Sequence, residues 1–413
     1  MEEVVKLMNK LPIGIQSFEK IRTDDFLYID KTAYIYKLVC NNIPYFLSRP
    51  RRFGKSLLLS TMKAYWEGKK ELFEGLDIIR LMEGNPEAWK PYPVFYFDFN
   101  GVNYQVEGAL EKALDSFLGQ WEREYGLCGV EHGYALEERF GKLLEKAHTE
   151  KKRRCVVLVD EYDKPLLDLA EEKGLLEHNK EVFKAFFGTL KSKDEHIQFV
   201  FITGVTKFHK VSIFSDINQL TDISLEKDYA ALCGITKKEL EKNLSEQLNA
   251  MVKKCQLSKK DCIKQLAKQY DGYLFHPYGA AVYNPFSLLT SLRKGEFGSY
   301  WFETGTPSFL IKKLRQSHFE VNRFTDHTLY AGETVLTDYT GDDGDPIPLL
   351  YQTGYLTIVG YDKKRGRYTL GVPNEEVKYG LFQSLFPSYV PAAKGGNGLD
   401  IFTLEEYIET GRL

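Results

Sequence analysis

Nowhere in the 413 residues do 18 apolar residues follow one another, so no segment is expected to span a bilayer. The opening MEEVVKLMNK carries acids and lacks an apolar stretch of 7–15 residues, so it does not read as a secretory signal. Six cysteines (Cys40, Cys128, Cys155, Cys233, Cys255 and Cys262) form no CxxC pair and no Cys/His cluster. A reducing, cytoplasmic setting is therefore expected rather than a disulfide framework. Eight histidines never pair at metal-ligand spacing. A large excess of one charge is also missing: 55 basic and 58 acidic residues leave −3, which argues against a surface wholly dedicated to nucleic acid. No internal repeat or low-complexity tract is visible.

What remains is ordinary globular material, 43% hydrophobic and 27% charged, with 26 Tyr and 27 Phe to fill aromatic-rich cores. A chain of 413 residues predicts two or three compact units. In the first half, short apolar runs alternate with amphipathic segments. IPYFLS (43–48), VFYFDF (94–99), CVVLVD (155–160) and IQFVFITG (197–204) read as buried strands. Between them, KSLLLSTMKAYWEG, residues 106–123, ALEERFGKLLEKAH and residues 180–191 carry helical spacing. That alternation predicts an α/β fold with a parallel sheet. After Asp228 the chain is nearly all helix-forming to residue 268, with Thr236 and Ser258 as N-caps. From Pro307 the order is a helix, YLTIV (355–359), a basic turn (Lys363, Lys364, Arg365, Gly366, Arg367), YTLGVP and a helix from Glu375. This is the outline of a winged helix. The small, Gly-rich stretch 392–397 reads as a linker.

SRPRRFGKSLLLS lies between a predicted strand and a predicted helix, the setting a P-loop needs to wrap phosphate with backbone N–H groups and a helix N-terminus. Gly54 permits the tight backbone, Lys55 reaches the β- and γ-phosphates, and Ser56 offers a hydroxyl to Mg²⁺. Arg51, Arg52, Phe53 and Leu57 complete the expected nucleotide contacts. Arg49 stands where the motif's first glycine belongs; with Arg51 and Arg52 it adds positive charge. CVVLVDEYDKP then reads as a Walker B element: Asp160 holds Mg²⁺ and Glu161 orients the attacking water. Asp163 reads as a helix cap or turn former. An added central strand places a polar residue between the lysine and the Walker B acid. Thr203 is that candidate and Thr206 the alternative; Asp98, at the end of the second strand, is given no direct role.

Taken in order, IGIQSFEKIRTDDFLYIDKT, FLSRPRRFGKSLLLSTM, VVLVDEYDKP, FITGVTKF, YDGYLF…VYNPFSLL, LLYQTGYLTI and LGVPNEEV resemble the bacterial AAA-ATPase-like proteins that usually carry a C-terminal PD-(D/E)xK nuclease-like domain. The resemblance runs from about Leu11 to about Phe386, and the arginine at the first Walker position is usual there. It implies a P-loop NTPase core (1–228), a helical lid (229–300), a winged-helix-like unit (301–390) and a linker or the start of a further domain (391–413). The E-x-K strand that a nuclease needs is not in this sequence, so no nuclease activity is expected of it. In related ATPases the segment before the P-loop strand contacts adenine and ribose. Ile15, Phe18 and Tyr28 are therefore candidates to pack the base, with Asp30 or Thr32 holding the loop.

The expected function is a slow, switch-like, Mg²⁺-dependent ATPase that drives a partner or an attached effector domain. The alternatives are a module that binds ATP or ADP with little hydrolysis, and a nucleic-acid-binding regulator working through the basic turn 363–367. Lys207 and Lys210 are weighed as fingers toward the γ-phosphate or as solvated charges. His209 and His276 are read as ordinary polar histidines, and GDDGDP (341–346) as a flexible acidic turn.

Overall fold

A computed structural model of the chain describes residues 10–127, 133–208, 210–214, 217, 220–301, 313–314, 317, 319, 321–324, 329–337 and 345–389. The acidic turn at 341–344, the tail 391–413, Cys128 and His209 lie outside them.

The central sheet has five parallel strands: β1 (Tyr45–Ser48), β2 (Val94–Asp98), β3 (Cys155–Asp160), β4 (Ile197–Gly204) and β5 (Thr221–Asp222), in the order β2-β3-β4-β1-β5. β4 thus separates β1 from β3, with Leu47 opposite Thr203 and Ser48 opposite Gly204. All six residues of β3 are buried, because helices cover both faces of the sheet and leave no side for polar alternation. The aromatic excess goes largely here. Phe97 meets Trp121, Phe140 and Phe186 edge-on at centroid distances of 5.0, 5.5 and 5.6 Å. Each such pair adds about 0.5–1.5 kcal/mol beyond its buried area. β5 has only two residues, too few to show a periodicity, and the sequence did not predict it.

Helices Lys237–Asn243, Ser245–Cys255, Lys259–Tyr270 and Pro285–Lys294 form a second unit with its own core around Leu240, Leu248, Met251, Leu266 and Leu288. Thr236 opens it with a capping box: its hydroxyl accepts from the Glu239 N–H (3.2 Å), and the Glu239 carboxylate accepts from the Thr236 N–H (2.7 Å). Ser258 caps the third of these helices by accepting from the Asp261 N–H (3.1 Å). Leu11, Ile13, Leu27 and Ile29 pack against this core, so the beginning of the chain leans on the helical unit as well as on the sheet.

The C-terminal residues build a three-stranded antiparallel sheet from β6 (Leu329–Gly332), β7 (Thr357–Asp362) and β8 (Arg367–Gly371), ordered β6-β8-β7. Helices Glu333–Thr337 and Ile347–Gln352 lie between β6 and β7, and Glu375–Tyr389 follows β8. The predicted strand at 355–359 begins two residues later. Tyr355 and Leu356 still donate to the Leu350 carbonyl (2.9 and 3.0 Å), closing the preceding helix.

Candidate nucleotide site

β1 ends at Ser48, and the loop 49–54 delivers the chain into helix Lys55–Trp66, whose cap, Gly54, has φ 93°. A cavity of about 460 Å³ opens on this loop. Arg51, Arg52, Phe53, Gly54, Lys55, Ser56 and Leu57 form one wall, and residues 12–16 and Tyr28 another. Ile235, Phe286 and Leu289 of the helical unit and Leu232 supply further apolar lining, while Asn100, Glu161 and Lys164 supply polar lining. All seven predicted nucleotide contacts therefore border one space.

Lys55 is buried, and its Nζ donates to the carbonyls of Arg49 (3.0 Å) and Pro50 (3.3 Å). Ser56 lines the cavity and hydrogen-bonds Asp160, which lies fully buried behind it. Thr203 donates to Asp160 Oδ1 at 2.9 Å, and the Tyr96 hydroxyl donates to Oδ2 at 3.4 Å. Burial pushes the Asp160 carboxyl up, while the Ser56 hydrogen bond and the Lys55 charge oppose that shift. A hydroxyl and a carboxylate side by side are hard oxygen donors, the kind Mg²⁺ takes while keeping several waters. Glu161 borders the cavity in the left-handed backbone region, φ 54°, which is uncommon for a residue with a side chain.

Several predicted residues sit elsewhere. Arg49 is neither at the cavity nor solvated. It is 1% exposed, donates to the carbonyls of Ser48 (2.9 Å), Ser224 (2.8 Å) and Tyr229 (3.1 Å), and stacks on Phe275 at 4.0 Å. It adds no charge at the cavity wall and serves as a tie behind the loop. Lys207 is no finger either: it is buried in an ion pair with Asp222 Oδ2 at 2.8 Å. Asp163 does stand at the N-cap position of helix Lys164–Leu167, as expected, but its side chain makes no cap bond; its carboxylate faces Val205 and Thr206. Burial, then the Glu161 charge, raise its carboxyl to about 6. Thr206 serves Asp163, so only Thr203 meets Asp160. Asp98 accepts from Asn100 alone among the hydrogen bonds of the described residues.

Of the base-packing candidates, Ile15 and Tyr28 line the cavity, whereas Phe18 does not; it meets Tyr28 edge-on (5.0 Å) and Phe73 at a tilt (4.8 Å). Asp30 and Thr32 hold their loop: Asp30 Oδ1 accepts from the Thr32 N–H and hydroxyl (2.8 and 2.6 Å), and Thr32 Oγ1 accepts from the Ile78 N–H (3.1 Å). His276 accepts from the Tyr278 N–H (3.0 Å). The Lys210 side chain is outside the description.

Sequence reasoning missed Lys31, Asn100, Lys164 and Phe286 at the cavity. Asn100, two residues past β2, carried a positional signal, because strand C-termini of a parallel sheet converge on one edge. Lys31 and Phe286 carried none.

The sequence profile of the predicted AAA-ATPase family matches residues 12–214. An uncharacterised protein in the vnfD 5′ region of Azotobacter chroococcum mcd 1 is 38% identical over 392 residues, covering 92% of this chain and 71% of that protein. The structure of the Aeropyrum pernix ORC2 protein (ADPNP–ADP complexes) aligns over 92% of both chains at 10% identity and a TM-score of 0.33. By the family profile and the 38%-identical Azotobacter relative, and in keeping with its parallel α/β core and P-loop between strand and helix, the chain belongs to the predicted AAA-ATPase family.

Proposed function

We propose that the cavity binds Mg·ATP and that the chain hydrolyses it slowly, as a switch that drives a protein partner or an attached effector domain. The observation that supports this most is convergence. Lys55 and Ser56 at a helix N-terminus and Glu161, just after β3, line one cavity; directly behind Ser56, Asp160 at the end of β3 bonds to it and takes a hydrogen bond from Thr203 on β4. The loop N–H groups and Lys55 would hold the phosphates, with Lys55 exchanging its carbonyl partners for phosphate oxygens. Ser56 and Asp160 would hold Mg²⁺, which neutralises charge on the β- and γ-phosphates when bound. Thr203 fixes the rotamer of Asp160, and Glu161 orients and polarises the attacking water. The helical unit 229–300 acts as a lid, a reading supported by Ile235, Phe286 and Leu289 of that unit lining the cavity. We read 301–390 as a winged-helix-like unit, a reading supported by two helices followed by a hairpin in a β6-β8-β7 sheet.

The first test is thermal unfolding with and without Mg·ATP, for wild type and Lys55→Ala. Saturation at ~100 times Kd should stabilise wild type by roughly 2.7 kcal/mol and leave the variant unmoved. Phosphate release by wild type against Glu161→Gln then reads turnover. Loss in the variant with binding retained supports hydrolysis. Equal, negligible release in both leaves a nucleotide-binding module instead, and no thermal shift in either removes the nucleotide from the reading.

A further inference from the structure

We propose that Asp163 is a positioning residue that fastens the turn bearing Glu161 to the end of β4, so that Glu161, at the cavity, and Thr203, behind it on Asp160, keep a fixed relation. The assignment rests on the hydrolase reading above. Asp163 is fully buried and does not border the cavity, so it acts through other groups. Its carboxylate takes three donors from one short segment: the Val205 N–H (3.1 Å), the Thr206 N–H (2.7 Å) and the Thr206 hydroxyl (2.8 Å). The adjoining Tyr162 repeats the connection. Its N–H donates to the Thr203 carbonyl (3.1 Å), and its hydroxyl reaches the carbonyls of Thr206 and Phe208, both at 3.2 Å. The last residue of β4 is shaped for this contact: a Cβ on Gly204 would stand 2.6 Å from Asp163 Oδ1 and 2.7 Å from the Tyr162 ring.

The tie has something to hold. Glu161 sits at φ 54°, a conformation costing about 1–2 kcal/mol for a residue with a side chain. Such strain persists only where neighbouring structure over-determines it. Tyr162 and Asp163, the next two residues, are anchored on β4 and the segment after it. They leave Glu161 as the taut link between β3 and that anchor. Thr203, bonded on one side to Asp160 and on the other to Tyr162, is set by the same connection.

The experiment uses the full chain with Asp163→Asn, Glu161→Gln and the double variant, measuring Mg·ATP affinity, phosphate release and melting temperature. Asp163→Asn keeps the side chain's shape while replacing one acceptor oxygen with an NH₂, which faces the Val205 N–H when the amide oxygen stays on Thr206. It is expected to lower kcat roughly 10- to 100-fold with Kd changed less than about twofold. Because Asp163 acts through Glu161, the double variant should be no slower than Glu161→Gln alone. Multiplying losses, or affinity and melting temperature falling together with kcat, would show a general structural role and overturn the assignment. If Asp163→Asn does not fold, Thr206→Val removes one donor to the same carboxylate and should lower kcat in the same direction; an unchanged kcat overturns the proposal. Equal turnover in wild type and Asp163→Asn sinks this assignment alone. No turnover in wild type sinks the hydrolase reading and this assignment with it.

Discussion

At Arg52 a long cation occupies a backbone conformation that favours glycine, with φ 68°. An ordinary residue there costs about 1–2 kcal/mol relative to glycine. Its guanidinium lies 4.8 Å from the ring centre of Phe286, in the helical unit, and borders the cavity. An exposed cation–π contact returns only about 0.5–1 kcal/mol, so it does not by itself justify the strain. We expect Arg52→Gly to leave the melting temperature the same or slightly higher while weakening Mg·ATP binding about tenfold. Calorimetric titration beside thermal unfolding separates the two effects. Undiminished affinity would show that Arg52 contacts no phosphate.

The elements around the cavity are joined by charges that no local pattern announces. Lys31, just before helix Thr32–Asn41, sends its Nζ to both carboxylate oxygens of Glu239 (2.6 and 2.8 Å) and to the Ala231 carbonyl (2.8 Å). The pair is mostly buried, with side chains 12% and 22% exposed. Glu239 also completes the capping box at Thr236, so one carboxylate both starts a helix and attaches it to the opposite cavity wall. Removing Lys31 alone leaves that carboxylate without its cation. Lys31→Met should therefore cost about 1–3 kcal/mol in urea unfolding, and a Lys31→Met/Glu239→Gln cycle should show coupling above about 0.5 kcal/mol. Additive losses would mean that the pair is incidental to the stability of the cavity.

Across the whole molecule, the phosphate loop is gripped from behind by segments far along the chain. Arg49 reaches Ser224, Tyr229 and Phe275; the Trp301 indole donates to the Arg51 carbonyl (3.3 Å); Phe53 meets Tyr273 edge-on at 4.7 Å. Gly354, at φ 89°, lies so close to Pro50 that a Cβ there would be 2.7 Å from the proline Cβ. Gln352 accepts from the Lys207 N–H (2.7 Å) and donates to the Leu336 carbonyl (3.1 Å). Helix Ile347–Gln352 is consequently buried along its whole length and offers nothing to a nucleic-acid groove. The basic turn is different: Lys363, Lys364 and Arg365 are exposed at the hairpin tip, with Arg365 paired to Asp362 at 3.1 Å. Any contact with DNA through this unit in the described conformation is expected to be with phosphates and indifferent to sequence. Charge reversal at all three positions should weaken a salt-dependent gel shift and reduce its salt slope by about 3. A slope unchanged by the substitution would remove the turn as a nucleic-acid contact.

The sequence by itself determined the four long strands, the strand–loop–helix setting of Lys55 and Ser56, and the acids at the end of β3. A strand covered on both faces must be continuously apolar, and a phosphate loop is built from residues adjacent in the chain. Helix caps at Thr236 and Ser258 were legible for the same reason, since a cap and its partners lie within one turn. An added central strand was likewise expected, and β4 does lie between β1 and β3; only the tertiary structure decided that Thr203 rather than Thr206 meets Asp160. It also decided that Arg49 turns inward, that the Asp163 side chain binds the segment after β4 instead of capping its own helix, and that β5 exists at all. Those outcomes depend on contacts such as Arg49 to Ser224 and Lys31 to Ala231, which span 175 and 200 residues. A periodicity over ten or fifteen residues cannot encode which distant segment comes to lie beside it; that follows from strand order and from the burial available once the core has closed.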